Sequence, residues 1–183
     1  ARMIALRVLP AKGPKFLELF RSRKGISNRR MASDEQLWEE AQRGDEHAFT
    51  LLFRACQGAI YRFALHMSGI PQLAEDVTQE VFLALLEKDS RYDPARGPLL
   101  RFLYGIARHR VLRRLQESGG DATSEEYAAD DDVLEDLTRR ETIEAVRRAV
   151  LSLPPAYREV VVLFDLEGAT YEETAAVLDC PVG

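Results

Sequence analysis

Ala74-Glu75-Asp76-Val77-Thr78-Gln79-Glu80-Val81-Phe82 reads as the middle of an amphipathic helix. With Leu73 before it and Leu85 after it, Val77 and Val81 recur every four residues, the spacing of one helical face. Glu75, Asp76, Gln79 and Glu80 then fall on or near the solvent side. Working upstream, Ser68-Gly69-Ile70-Pro71 is a break between two helices. The helix before it carries Phe49, Leu52, Cys56, Ile60, Phe63 and Met67 at helical spacing, with Asp45 as its cap. Ser33 and Gln36 form a capping box for a short first helix that stops at Gly44.

Downstream, Asp93-Pro94-Ala95-Arg96-Gly97-Pro98 must be a loop, because two prolines and a glycine in so short a stretch forbid regular structure. A fourth helix follows from about Leu99 to Leu115, with Leu99, Phe102, Leu103 and Ile106 expected as its buried stripe. Residues from Gln116 to about Asp132 are acidic, small and turn-rich, and read as a flexible linker. A helix then runs to Leu153, where Pro154-Pro155 stops it. The next covers about 156–167 and ends at Gly168. Val160 to Phe164 could form a buried strand, but the proline before and the glycine after favour helix. Thr170 and Glu173 make a second capping box for a short helix to about Asp179, and 179–183 is a turn. The expected class is all-α: two small helical units on a charged tether.

The 183 residues carry a formal net charge of −5, but the charge is segregated. Residues 1–31 hold nine basic side chains against one acid, residues 88–114 eight against two, and residues 117–136 nine acids with no base. A basic block inside an acidic whole suits one defined nucleic-acid face rather than general polyanion binding. No run approaches the roughly 18 apolar residues of a membrane span. Cys56 and Cys180 lie far apart, which suggests a reducing compartment, no disulfide framework and no metal site. His47, His66 and His109 are scattered without a catalytic or zinc spacing, and no phosphate-cradling glycine loop or serine elbow occurs. No catalysis and no cofactor are expected. Residues 1–30 precede Met31, a natural start. They read as an upstream extension or, alternatively, as a basic arm touching DNA; a transit peptide fits their composition alone.

Four segments together resemble the extracytoplasmic-function (ECF) sigma factors of the sigma-70 family. They are 44–49 with 74–82, then Phe102-Leu103-Tyr104-Gly105-Ile106-Ala107-Arg108-His109, then Leu153-Pro154 through Val160, then 167–175. They occur in the family's order and cover most of residues 44–183. The resemblance implies a basic extension over 1–31, a region 2-like bundle over 32–116, an acidic linker over 117–132, and a truncated region 4-like domain over 133–183. The last is an incomplete helix-turn-helix. The family continues beyond the turn at Gly183 with a basic recognition helix, and truncation is the expected reason for its absence.

The resemblance also implies a bacterial, cytoplasmic transcription factor. It assigns Glu75, Asp76, Gln79 and Glu80 to docking on the clamp helices of the largest subunit of core RNA polymerase. There, acidic and amide groups can accept charge-assisted hydrogen bonds. Promoter DNA is the second partner, met by Arg96, Arg101, Tyr104, Arg108, His109 and Arg113. Cations hold phosphates, and an aromatic surface or pocket holds an unstacked base of the −10 element. The loop from Arg91 to Arg96 is expected to shape that pocket. His109 stands where the family often has asparagine, and Arg110 is expected to snorkel. An anti-sigma factor is a further candidate partner. Two rival readings stay open: a plain DNA-binding repressor, which needs an intact recognition helix, and a polymerase-binding decoy that never opens a promoter.

Overall fold

The structure, a computed structural model, describes residues 33–87, 92–117 and 135–182, with only the backbone described for 135–140. The basic extension and most of the acidic linker lie outside the described residues. Seven α-helices, one 3-10 turn and one π turn make up the regular structure, with no strand among the described residues.

Helices α1 (Asp34–Gln42), α2 (Glu46–Ser68), α3 (Pro71–Leu86) and α4 (Leu99–Glu117) form the first unit. Local chemistry sets each boundary. The Ser33 hydroxyl accepts from the Gln36 amide at 3.3 Å and the Gln36 side chain accepts from the Ser33 amide at 3.0 Å, the anticipated capping box. Asp45 accepts from the His47 and Ala48 amides at 2.8 and 3.1 Å. At the far end of α2, Gly69 turns left-handed with φ +73° and donates to the Leu65 carbonyl at 2.7 Å, and Pro71 opens α3. A Cβ on Gly69 would lie 2.9 Å from Leu151 Cδ1, so glycine also permits close approach of the second unit.

Helix α2 is the central post, packed by α1, α3 and α4. Phe49 and Phe53 meet Phe82 of α3 edge-on, with centroids 6.4 and 4.7 Å apart, and Phe63 meets Tyr104 of α4 at 5.4 Å. All four phenylalanines are fully buried. Removing one such ring typically costs about 3–5 kcal/mol. The buried stripe of α4 differs from the expected one. It runs through Leu99, Leu103, Ala107 and Val111, with Tyr104 beside it, while Phe102 and Ile106 are only partly buried. The loop before α4 leaves a cavity over those two.

The second unit comprises α5 (Glu135–Ser152), α6 (Pro155–Val161) continued by a π turn (Val162–Leu166), and α7 (Tyr171–Leu178). The 160–164 run is therefore helical, and its last turn is widened. The Glu167 amide donates to Val162 O at 2.9 Å, one residue further back than in an α-helix. Thr170 and Glu173 close the second capping box at 2.9 and 3.1 Å. Asp179 ends α7 with φ +55°, a left-handed position that aspartate tolerates better than most residues.

The two units are packed together. Val150, Val162, Leu163 and Val177 join the same buried cluster as the first unit. Arg158 pins the junction. Its buried guanidinium donates to the carbonyls of Met67 near the end of α2, Leu151 near the end of α5, and Leu153 just beyond it, the last at 3.0 Å. One cation thereby satisfies carbonyls at the ends of two helices, where the dipoles also favour positive charge.

Candidate nucleic-acid interface

Two flanks of α4 matter. The first borders a cavity of about 680 Å³, within the range of small-ligand pockets. Tyr92, Phe102 and Ile106 supply its apolar wall, with the Tyr92 and Phe102 rings 5.4 Å apart. Arg96 and Arg101 supply a cationic rim, with the His109 imidazole beside them. The loop is built to hold this shape. Asp93 accepts from the Ala95 amide at 3.0 Å to cap the 3-10 turn Pro94–Arg96, and the Tyr92 hydroxyl donates to Gly97 O at 3.3 Å. Gly97 has φ +131°, and a Cβ there would sit 2.3 Å from Arg101 Nη2, so glycine lets the guanidinium lie against the loop. Burial, aided by Glu35, Asp34 and Asp93, pushes the Tyr92 phenol up and keeps it neutral.

The second flank carries Tyr104 and Arg108, and α6 and the π turn cover it. Arg108 Nε lies 2.6 Å from Glu159 Oε2. The Tyr104 hydroxyl donates to Glu167 Oε2 at 3.2 Å, and Arg62 of α2 grips the same carboxylate through Nη2 at 2.8 Å and Nε at 3.2 Å. Both glutamate side chains are almost wholly buried, at 5% and 1% exposure. Burial and then the Glu167 charge raise the Tyr104 phenol far above its ordinary value. His66 Nδ1 lies 3.9 Å from Glu167 Oε1, yet burial, Arg147 and Arg62 pull the imidazole down to about 4. The imidazole is therefore neutral at neutral pH, and the contact is not an ion pair.

Of the residues expected on DNA, the structure brings Arg96, Arg101 and His109 together around the cavity. Tyr104 and Arg108 lie on the covered flank, and Arg113 is exposed further along, 2.8 Å from Glu117. On α3, Glu75, Asp76, Gln79 and Glu80 are half-buried. Glu80 accepts from Arg114 and lies 3.7 Å from Arg110, so the snorkelling arginine reaches a carboxylate. Gln79 Nε2 is buried without a hydrogen-bond partner among the described residues. Tyr92 lies in the loop expected to shape the pocket, whereas Arg62 carries no motif of its own and only the tertiary arrangement reveals its place. Among the described residues, no group of three His, Cys, Asp or Glu side chains could hold a metal ion. The buried Cys56 thiol is pushed up to about 12.

The family profile "Sigma-70 region 2" matches residues 52–119, and "Sigma-70, region 4" matches residues 143–183. The RNA polymerase sigma-H factor of Pseudomonas aeruginosa is 34% identical over 166 residues, covering 82% of this chain and 84% of that protein. The ECF RNA polymerase sigma-E factor of Escherichia coli is 29% identical over 170 residues, covering 82% and 85%. The chain belongs to the ECF sigma factors of the sigma-70 family. A further relative, the ECF RNA polymerase sigma factor SigE of Mycolicibacterium smegmatis, is 34% identical over 139 residues, covering 72% of this chain and 53% of that protein. In this sigma factor Arg62, Tyr104, Arg108 and all of the cavity lining but Ala176 and Val177 fall in the region 2 match, and those two fall with Glu159 and Glu167 in the region 4 match. The covered flank is thus a contact between the two regions. No helix among the described residues is long and apolar enough to cross a membrane.

Proposed function

We propose that this sigma factor binds core RNA polymerase in the cytoplasm, directs it to promoters and opens the −10 element, without catalysing a reaction itself. Residues 32–116 form the unit that docks and melts, residues 117–132 the tether, and residues 133–183 the region 4 unit. The observation that carries this reading is the cavity beside α4, an aromatic wall of Tyr92 and Phe102 under a rim of Arg96, Arg101 and His109. An unstacked base gains stacking of about 1–3 kcal/mol on such a wall, which offsets the few kcal/mol that flipping costs. The rim cations hold the flanking phosphates, a contact that weakens with salt. The α3 face around Asp76 and Gln79, carried on the helix that packs beside α4, is the polymerase-docking surface, so different side chains grip template and enzyme.

Reconstitution with core polymerase tests this. Asp76→Ala with Gln79→Ala lowers core affinity and leaves DNA contacts unchanged; unaltered core affinity refutes the docking face. Arg96→Ala with Arg101→Ala leaves core binding intact and abolishes opening; persistent opening refutes the cavity assignment.

A further inference from the structure

We infer that Glu80 serves the DNA face rather than the polymerase-docking face. It is a positioning residue that holds Arg110 at the cavity, where that guanidinium takes a phosphate of the strand whose base is flipped in. This role presupposes the cavity as the base-receiving site. Glu80 and Ala84 lie one turn apart on α3, and Ala84 lines the cavity. Asp76 lies one turn before Glu80, so Glu80 stands between the docking end of α3 and its cavity end. Across the contact between α3 and α4, Glu80 accepts from Arg114 and lies 3.7 Å from Arg110 Nε. Arg110 is itself a lining residue, about two and a half helical turns beyond Arg101. The cavity is therefore flanked by cations at two places along α4.

Charge and geometry both suit this role. Two guanidiniums four residues apart on a helix repel each other, and the carboxylate between them offsets that repulsion. Two cations against one anion still leave a positive surplus. The side chains of Arg110 and Arg114 are 35% and 40% exposed, so a phosphate can reach that surplus. At 3.7 Å the Arg110 contact is an ion pair and not a hydrogen bond. Glu80 thus orients the planar fork without using its N–H groups, and phosphate oxygens can accept from them. A long side chain held in place beforehand also gives up less freedom on binding. The sign of the effect is distinctive. Removing an acid beside the path of a polyanion ordinarily tightens binding, whereas loss of a positioning carboxylate weakens it.

The test uses holoenzyme reconstituted from core polymerase and the full chain. Docking is read from a fluorophore on the exposed Cys180 as core is added. DNA binding is read at saturating core, by anisotropy of a labelled duplex with a central unpaired run of random sequence, against core alone as background. Glu80→Gln should leave core affinity unchanged and weaken DNA binding about fivefold, the upper end for one partly exposed ion pair. The slope of log affinity against log salt should become shallower by about 0.7, the value for one phosphate of a single strand. Arg110→Ala should give the same two changes, and Glu80→Gln should add nothing in that background. Weaker core binding with parental DNA affinity overturns the inference and returns Glu80 to the docking face. Tighter DNA binding also overturns it, because the carboxylate then holds the arginines away from DNA, as does a loss that keeps the parental salt slope. Arg96→Ala/Arg101→Ala in the same assay tests the cavity reading beneath. If that variant loses DNA binding while Glu80→Gln and Arg110→Ala bind as the parent does, the inference fails and the cavity reading stands. If it binds DNA as the parent does, the cavity reading fails and the role of Glu80 fails with it.

Discussion

Replacing Arg158 with alanine should loosen the junction between regions 2 and 4 more than any surface change. Its guanidinium is buried and donates to three carbonyls, those of Met67, Leu151 and Leu153. A hydrogen bond to a charged group contributes about 1.5–3 kcal/mol, and the three are not additive because water reaches the ends of the helices in the variant. A net loss of about 3 kcal/mol is expected, close to 1 M in urea midpoint at an m-value of about 3 kcal/mol/M. Arg158→Lys should recover only part of this, since a compact ammonium cannot span carbonyls on two helices as a planar fork does. The assay is urea unfolding followed by two probes. Far-ultraviolet circular dichroism reports all helices, and Trp38, the sole tryptophan, is buried in the first unit against Tyr92. The dichroism midpoint should fall further than the fluorescence midpoint as region 4 detaches first. A shift below about 0.3 M in both probes would refute the view that this side chain ties the units together.

Gly69→Ala should cost more than 1 kcal/mol, because φ is +73° and the new Cβ meets Leu151 at 2.9 Å. In a Leu151→Ala background the steric part disappears and the backbone part remains, so a double-mutant cycle of equilibrium stabilities should show positive coupling. His66 should make stability fall on acidification. Its folded value of about 4 lies below the ordinary 6.5, so the neutral form is favoured in the fold. The contribution is intact above pH 6.5 and is lost as pH falls towards 4, at up to about 1.4 kcal/mol per unit. The difference between parent and His66→Gln, measured by urea unfolding from pH 7 to pH 5, should shrink along that window; a constant difference would contradict the burial of a neutral imidazole.

Helix boundaries were legible because short-range chemistry writes them. Ser33 with Gln36, Asp45, Gly69-Ile70-Pro71 and Thr170 with Glu173 each act within four residues, and the structure shows all of them. Periodicity also located the core of α2 and α3, where Val77 and Val81 face inward. It misplaced Phe102 and Ile106, since an apolar side chain beside a stripe can as well line a cavity as fill a core, and the loop decides which. Tyr104 with Arg108 looked like an open aromatic and cation pair on a basic helix. Nothing local signals that Glu159 and Glu167, 51 residues beyond Arg108 and 63 beyond Tyr104, cover them. Pairing between distant helices depends on how the units dock, and helical spacing carries no record of it. The π turn is equally silent in sequence, yet Glu167 follows directly on it and lies buried against Arg62.

The most direct measurement is permanganate footprinting of single-stranded thymines on genomic DNA fragments, with core polymerase alone, with the parent sigma factor, and with Arg96→Ala/Arg101→Ala. Open bubbles should appear with the parent, be absent with core alone, and vanish with the variant although it still joins core. Bubbles of equal extent with the variant would contradict the assignment of promoter opening to the cavity beside α4.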